Sequence, residues 1–138
     1  GQRVTFVHGN APLETVGALM SVADVSLSLV GTLEPVSWSV QQAVACGSAV
    51  IVTDQASYAL EEARGLSVHR LLPGGAAELC AAIAHLLDDA ERRTAMAQAN
   101  ERYVTLHHDR ETELTRLLRI VAGAATADRL LAAGTVRG

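Results

Sequence analysis

The sequence predicts an α/β protein built on a parallel sheet of about four strands, with flanking helices and a helical C-terminal part. The first observation is a strand-loop-helix-strand unit over residues 25–54, in which two apolar runs bracket a helical pattern. The second is the alternation of further apolar runs with helical patterns on both sides of this unit, which is typical of parallel sheets. The last third of the chain carries helical patterns alone.

Composition narrows the class of protein further. The 138 residues are enough for one domain with a real core, and with only 3% aromatic residues that core must consist of Val, Leu, Ile and Ala. The net charge is -4 and the chain contains no lysine. Because no basic block or basic-aromatic interleaving is present, a general nucleic-acid surface is excluded.

The central unit contains the candidate site. A strand over residues 25–30 leads into a loop with Glu34, a helix over residues 37–46 and a second strand over residues 48–53. In open α/β sheets, ligands bind beyond the carboxyl ends of the strands, where such loops lie. The free N–H groups at the helix start, near Ser37, Trp38 and Ser39, suit a phosphate. Gln42 follows on the same helix, so that it and Glu34 could line one cleft. A plain crossover whose loop carries an incidental glutamate is the alternative.

The remaining elements follow in chain order. Residues 2–7 are predicted as the first strand, and Asn10 and Pro12 as the turn into a helix. A short helix over residues 57–64 is predicted to end at Gly65, before a half-exposed or edge strand over residues 66–72.

Helices are predicted to fill the rest of the chain. The apolar stripe of the first consists of Leu79, Ile83, Leu86 and Leu87. Asp88 and Asp89 can open the next helix, and Asp109 the last. Residues 1–122 are therefore predicted as the domain and residues 123–138 as a helical or disordered tail.

Cysteine usage and hydropathy bear on the compartment. Cys46 and Cys80 fall in predicted helices without metal-ligand spacing, and we expect both to be small buried hydrophobes. The pair His107 and His108 lacks a third ligand at supporting spacing, so no metal site is expected. No signal peptide is visible and no apolar run reaches the roughly 18 residues of a membrane span. These features favour the cytoplasm.

The segment LEPVSWSVQQAVACGSAVIVTD, residues 33–54, resembles the C-terminal donor-binding domain of retaining glycosyltransferases of the GT-B fold, a large family of bacterial mannosyl- and glucosyltransferases. The family pattern is Glu, seven residues, Glu-Ala-x-Ala-x-Gly-x and an apolar strand. Here it reads Glu34, seven residues, Gln42, and then AVACGS. The segments VTFVHG and SVADVSLSL upstream and LLPGGAAELCAAIAHLLDDAERRTAMAQA downstream extend the likeness to about residue 121. It implies a partial Rossmann-like domain.

The resemblance also implies roles for particular residues. Glu34 would contact the donor sugar, Ser37 and Trp38 would offer N–H groups to the diphosphate, and Gln42 would meet the ribose. The loop with Gly9 and Asn10 would touch the nucleotide base. Catalysis in the family needs no metal, and no cofactor is expected besides the nucleotide-sugar substrate.

Two departures from the family pattern affect the expected activity. Gln42 stands where the family has a glutamate, so ribose binding would weaken by about 1–2 kcal/mol. Pro35 and Ser37 replace glycines, and their side chains narrow the approach to a diphosphate.

Two functions remain open at this point. The chain is either the donor-binding portion of a glycosyltransferase that transfers a hexose from a UDP- or GDP-sugar, or a non-catalytic Rossmann-like module with a degenerate cleft. The family's domain begins roughly a third of its length earlier, with an arginine and a lysine that grip the diphosphate, and it works with an N-terminal acceptor domain. We therefore expect this chain to be a fragment, inactive alone, that needs that domain or a partner chain and self-associates in isolation.

Overall fold

The structure is a computed structural model that describes residues 11–29, 36–72 and 74–123, together with residues 126, 128, 129 and 132. In these residues the chain forms an α/β fold. Its elements in order are α1 (Leu13–Val22), β1 (Val25–Ser28), α2 (Trp38–Ala45), β2 (Ala49–Thr53), α3 (Ala56–Ala63), β3 (His69–Leu71), α4 (Ala76–Asp88), α5 (Ala90–His107) and α6 (Arg110–Ala122).

The chain divides into two compact units, Gly1–Arg102 and Tyr103–Gly138. The first contains the sheet and helices α1 to α4, and the second contains α6. The division falls within the residue range of α5. The predicted boundary between a domain over residues 1–122 and a tail over residues 123–138 stays a prediction.

The three strands form one parallel sheet in the order β1-β2-β3. The register pairs Val25 with Ala49 and Ile51 with His69. All carboxyl ends therefore lie at the same edge of the sheet. The predicted parallel α/β class is confirmed for these strands, whereas the predicted first strand, residues 2–7, lies outside the described residues.

Side chains alternate between the two faces of the sheet, and each face meets helices. Ala49 and Ile51 of β2 form one apolar cluster with Ala82 and Leu86 of α4 and Met96 of α5. On the other face, α2 contacts β1 and β2 and buries its residues Val40, Ala43 and Val44. The sheet of the first unit thus lies between helices, as the near-continuous apolar character of β2 requires.

Strand β3 is shorter than the predicted strand over residues 66–72. Leu66 donates its N–H to the Glu61 carbonyl at the end of α3, with an N···O distance of 3.0 Å. Ser67 is hydrogen-bonded on both its N–H and its carbonyl by the Asn100 side chain. Because these backbone groups already have partners, the ladder begins only at His69.

The predicted helix ends are largely confirmed. Gly47 and Gly65 adopt positive φ values of 80° and 109°, which favour glycine after α2 and α3. Asp89 accepts a hydrogen bond from the Arg92 N–H at 2.8 Å, and Asp109 accepts one from the Thr112 N–H at 2.9 Å. Both acidic residues therefore cap the helices that follow them.

Two expectations about burial are wrong. Cys80 is exposed and Cys46 is half-buried. Leu87, predicted on the apolar stripe of α4, is 49% exposed. The core-facing stripe of α4 runs through Leu79, Ala82, Ile83 and Leu86, and Cys80 and Leu87 both fall outside it.

Within the part of the chain that the structure describes, no helix combines the length and the apolar character needed to cross a bilayer.

Candidate functional site

A cluster of hydroxyl groups lies at the carboxyl end of β1, where α2 begins. Ser28 is the last residue of β1 and Ser37 is the N-cap of α2. The Oγ atoms of these two residues are 3.1 Å apart, and Ser39 Oγ lies 3.0 Å from Ser37 Oγ and 3.4 Å from Ser28 Oγ. The three serines therefore form one hydrogen-bonded group at the expected ligand edge of the sheet.

Ser37 fixes the start of α2. Its backbone is extended, at φ -65° and ψ 150°, and its Oγ accepts a hydrogen bond from the Val40 N–H at 3.4 Å. Its carbonyl accepts from the N–H groups of Val40 and Gln41. Ser37 thus supplies both the side-chain cap and the first helical acceptor, which holds the helix start beside β1.

Tyr58 of α3 closes the cluster from a third element. It is 3% exposed, and burial raises the pKa of its phenol, while hydrogen bonds from the Ser37 side chain and backbone partly oppose that rise. The phenol is therefore neutral at physiological pH. Tyr58 links α3 to the N-cap of α2, so that three elements meet at this point.

The N-terminus of α2 has the electrostatic character of an anion site. Its first N–H groups, those of Trp38 and Ser39, have no acceptor within the helix. No acidic residue occupies its first turn, so the positive end of the helix dipole is not offset there. Trp38, at 73% exposed, and Ser39 are both accessible to solvent at this helix start.

The other predicted site residues are placed only in part. Gln42 is half-buried on α2, one turn beyond the helix start. Glu34, Gly9 and Asn10 lie outside the described residues, so their predicted roles stay predictions. The structure therefore brings together Ser37, Trp38 and Gln42 on one helix.

A cation at the same edge of the sheet is already neutralised. Arg70 of β3 donates from Nε to Asp54 Oδ1 at 2.6 Å and from a terminal nitrogen to Glu62 Oε2 at 3.1 Å. The hydrogen bond to Asp54 raises the pKa of the Arg70 guanidinium. Because two carboxylates share this charge, Arg70 is a poor partner for a bound diphosphate.

Sequence reasoning placed the N–H group of Ser39 at the helix start but missed its hydroxyl, and it missed Ser28 and Tyr58 altogether. The sequence did contain a signal for Ser28, because serines at alternating positions 26 and 28 interrupt an otherwise apolar strand and face the same side of the sheet. Nothing local marks Tyr58, whose contact with Ser37 depends on how α3 packs.

Among the described residues, no group of three or more His, Cys, Asp or Glu side chains is arranged to hold a metal ion.

Comparison with known proteins adds no family to this description. Neither protein-family models, nor curated protein sequences, nor solved structures gave a match to the chain.

Proposed function

We propose that the chain is the Rossmann-like, donor-binding portion of a retaining glycosyltransferase that uses a UDP- or GDP-sugar as hexose donor. The observation that supports this most is the open N-terminus of α2, which begins beyond the carboxyl end of β1 beside the Ser28, Ser37 and Ser39 hydroxyls. This is the position at which parallel α/β sheets bind phosphorylated ligands.

The diphosphate is the part of the donor that this helix start suits. Two N–H groups, of Trp38 and Ser39, and the serine hydroxyls offer hydrogen bonds to phosphate oxygens. The helix dipole adds about 0.3–1 kcal/mol for a negative charge at such a position. Since Arg70 is paired with Asp54 and Glu62, further neutralisation would come from cations in another part of the protein or in a partner chain.

The remaining roles follow from the resemblance of the sequence. In this proposal Glu34 binds the hydroxyls of the donor sugar, Gln42 binds the ribose, and Gly9 and Asn10 contact the base. No metal takes part. Charge stabilisation of the leaving diphosphate at the helix start is the contribution of this chain to catalysis.

A non-catalytic binding module is the second candidate. The observation that favours it is the hydrogen bonding of the Ser37 hydroxyl, which already contacts Ser28, Ser39 and the Val40 N–H. A ligand would have to compete with these bonds. The neutral amide of Gln42 also offers a ribose fewer acceptor positions than a carboxylate.

Fluorescence of Trp38 gives a direct test. It is the sole tryptophan of the chain and lies at the helix start, so its emission reports on that site alone. We expect UDP or GDP to change this emission saturably, and the corresponding nucleosides, which lack the diphosphate, to bind more weakly. No saturable change with any of these ligands or their sugar conjugates would refute donor binding by this chain.

Substitutions at Ser37 provide the matched variants. Ser37→Asp retains the N-cap but places a carboxylate where the diphosphate is proposed to bind, and should weaken binding at least tenfold while the fold is kept. Ser37→Asn caps equally well without the charge and is the control. Equal affinity of the two variants would contradict the proposed position of the diphosphate.

Two further variants test the proposed contacts with the donor. An activity assay then distinguishes the glycosyltransferase from the non-catalytic module. Glu34→Ala should weaken binding of a nucleotide sugar more than binding of the nucleotide itself, and Gln42→Glu should tighten both. Release of UDP or GDP from its sugar in the presence of an acceptor domain supports the enzyme. Binding without such release supports the non-catalytic module.

A further inference from the structure

Two histidines and an arginine from three different elements converge on the face of the sheet covered by α4. Arg92, in the first turn of α5, places one terminal nitrogen 2.8 Å from His85 Nε2 of α4 and the other 3.4 Å from His69 Nδ1 of β3. His69 is half-buried, whereas His85 and Arg92 are exposed. The cluster is therefore anchored in the sheet at His69 and accessible to solvent at His85 and Arg92.

The protonation state of this cluster follows from its geometry. A guanidinium can only donate hydrogen bonds, so His85 Nε2 and His69 Nδ1 must both be acceptors. Each imidazole is then neutral, with a lone pair directed at Arg92. Burial and then the positive charge of Arg92 lower the pKa of His69, which agrees with a neutral imidazole at this position.

Among the described residues, the positive charge of Arg92 has no carboxylate partner, unlike the charges of Arg70 and Arg93. Arg70 pairs with Asp54 and Glu62, and Arg93 with Asp24. Within the described part of the chain, no carboxylate lies within ion-pair distance of the Arg92 guanidinium.

The acidic residues nearest to Arg92 in the sequence form no ion pair with its guanidinium. Asp89 accepts from the backbone N–H of Arg92 and caps α5, while Asp88 and Glu91 are exposed at the end of α4 and the start of α5. The Arg92 guanidinium carries five N–H donors, so its contacts with the two neutral imidazoles leave further N–H groups available for an anion. An anion that binds there would also favour protonated imidazoles.

We propose that His69, His85 and Arg92 form a binding site for a phosphate group, with proton uptake by one or both histidines. In the bound state the guanidinium and the imidazolium N–H groups donate to the phosphate oxygens, and the protons come from solvent. Three donor groups match the three terminal oxygens of a phosphate monoester better than the two of a carboxylate. The site lies on the opposite face of the sheet from Ser28 and α2, and it does not depend on the proposed donor site.

The test is an NMR titration of the histidine ring resonances with inorganic phosphate, against chloride at equal ionic strength. Phosphate should shift the ring resonances of His69 and His85 and leave those of His107 unmoved. Its affinity should increase as the pH is lowered from about 7.5 to about 6, because binding is linked to proton uptake. Unmoved resonances of His69 and His85 at tens of millimolar phosphate would overturn the proposal.

Arg92→Gln should lower phosphate affinity at least tenfold. Arg102→Gln, which removes an exposed arginine from the same helix, is the matched control and should change it less than twofold. Equal effects of the two variants would mean general charge screening and would refute a site. His85→Gln removes a second member of the cluster, this time from α4, and should lower phosphate affinity by at least tenfold as well. Wild-type phosphate affinity in this variant would also count against the proposed site.

Free phosphate and a phosphorylated small molecule share this chemistry. Titration with glycerol 3-phosphate beside inorganic phosphate distinguishes them, because tighter binding of the ester supports a site for phosphorylated metabolites and equal or weaker binding supports a site for the free ion.

Discussion

Replacement of Asn100 tests how α5 is attached to the chain ahead of β3. The Asn100 side chain is fully buried, and its Oδ1 accepts from the Ser67 N–H at 2.8 Å while its Nδ2 donates to the Ser67 carbonyl at 3.0 Å. One side chain therefore satisfies both backbone groups of a residue outside any ladder.

Asn100→Ala removes both bonds at once. Leaving a buried backbone group without a partner costs about 1–3 kcal/mol, and the half-burial of Ser67 lets water replace part of the loss. We expect the free energy of unfolding to fall by about 2–4 kcal/mol. With a urea slope of about 2 kcal/mol per molar, the middle of the usual range for small proteins, the midpoint should shift by roughly 1–2 M.

Urea unfolding followed by Trp38 fluorescence is a suitable assay, because Trp38 belongs to the same compact unit as Asn100. Gln98→Ala, at an exposed position of the same helix, is the control and should change stability by less than about 0.5 kcal/mol. A loss below about 1 kcal/mol in Asn100→Ala would refute the assigned role.

Asn100→Asp adds a pH dependence that a packing defect alone would not produce. A carboxylate still accepts from the Ser67 N–H, but its second oxygen faces the Ser67 carbonyl, so burial and repulsion raise the pKa of the new group in the folded state. The folded state then binds more protons than the unfolded state between the ordinary pKa and the raised one. Stability relative to wild type should therefore recover as the pH falls through that window. A difference from wild type that is the same at pH 7 and pH 4.5 would contradict this reasoning.

Two further predictions concern the core and the last helix. Leu86→Ala, at a fully buried position, should lower the free energy of unfolding by about 2–5 kcal/mol in chemical denaturation, whereas Leu87→Ala, at a position 49% exposed, should lower it by less than about 1 kcal/mol. The hydrogen bonds from the Thr112 hydroxyl and N–H lower the pKa of Asp109, so its cap stabilises α6 above the ordinary value of 3.8 and is lost as the pH falls through the lowered pKa. Circular dichroism at 222 nm should show this acid-induced loss of helix in wild type and a smaller one in Asp109→Asn, and identical acid titrations would contradict the capping role.

Local patterns predicted most elements of the fold. The apolar runs around residues 25–30 and 48–53 became β1 and β2, and Gly47, Gly65 and Asp109 ended or began helices where their chemistry required it. These features depend on neighbours within a few residues, which a sequence contains in full. The half-exposed character predicted for the strand with His69 and Arg70 is also confirmed.

Interactions between distant residues could not be predicted in this way. The length of β3 depends on Asn100, which lies 33 positions from Ser67 and carries no local sign of its partner. The contact between Tyr58 and Ser37, and the meeting of His69, His85 and Arg92, likewise arise from the packing of whole elements. The exposure of Cys80 follows from which side of α4 meets the sheet, a fact that residue type alone does not determine.

The order of the strands in the sheet has a consequence for the way the chain acquires its structure. Each strand pairs with the next one along the chain, so that the pairings of Val25 with Ala49 and of Ile51 with His69 each close a segment of only about 20 residues. Short closures carry a small entropic cost and favour rapid folding for a parallel sheet. During synthesis, β1, α2 and β2 could associate before α4 leaves the ribosome. The arrival of Ala82 and Leu86 would then cover the remaining apolar face of β2 and complete a sheet already in register.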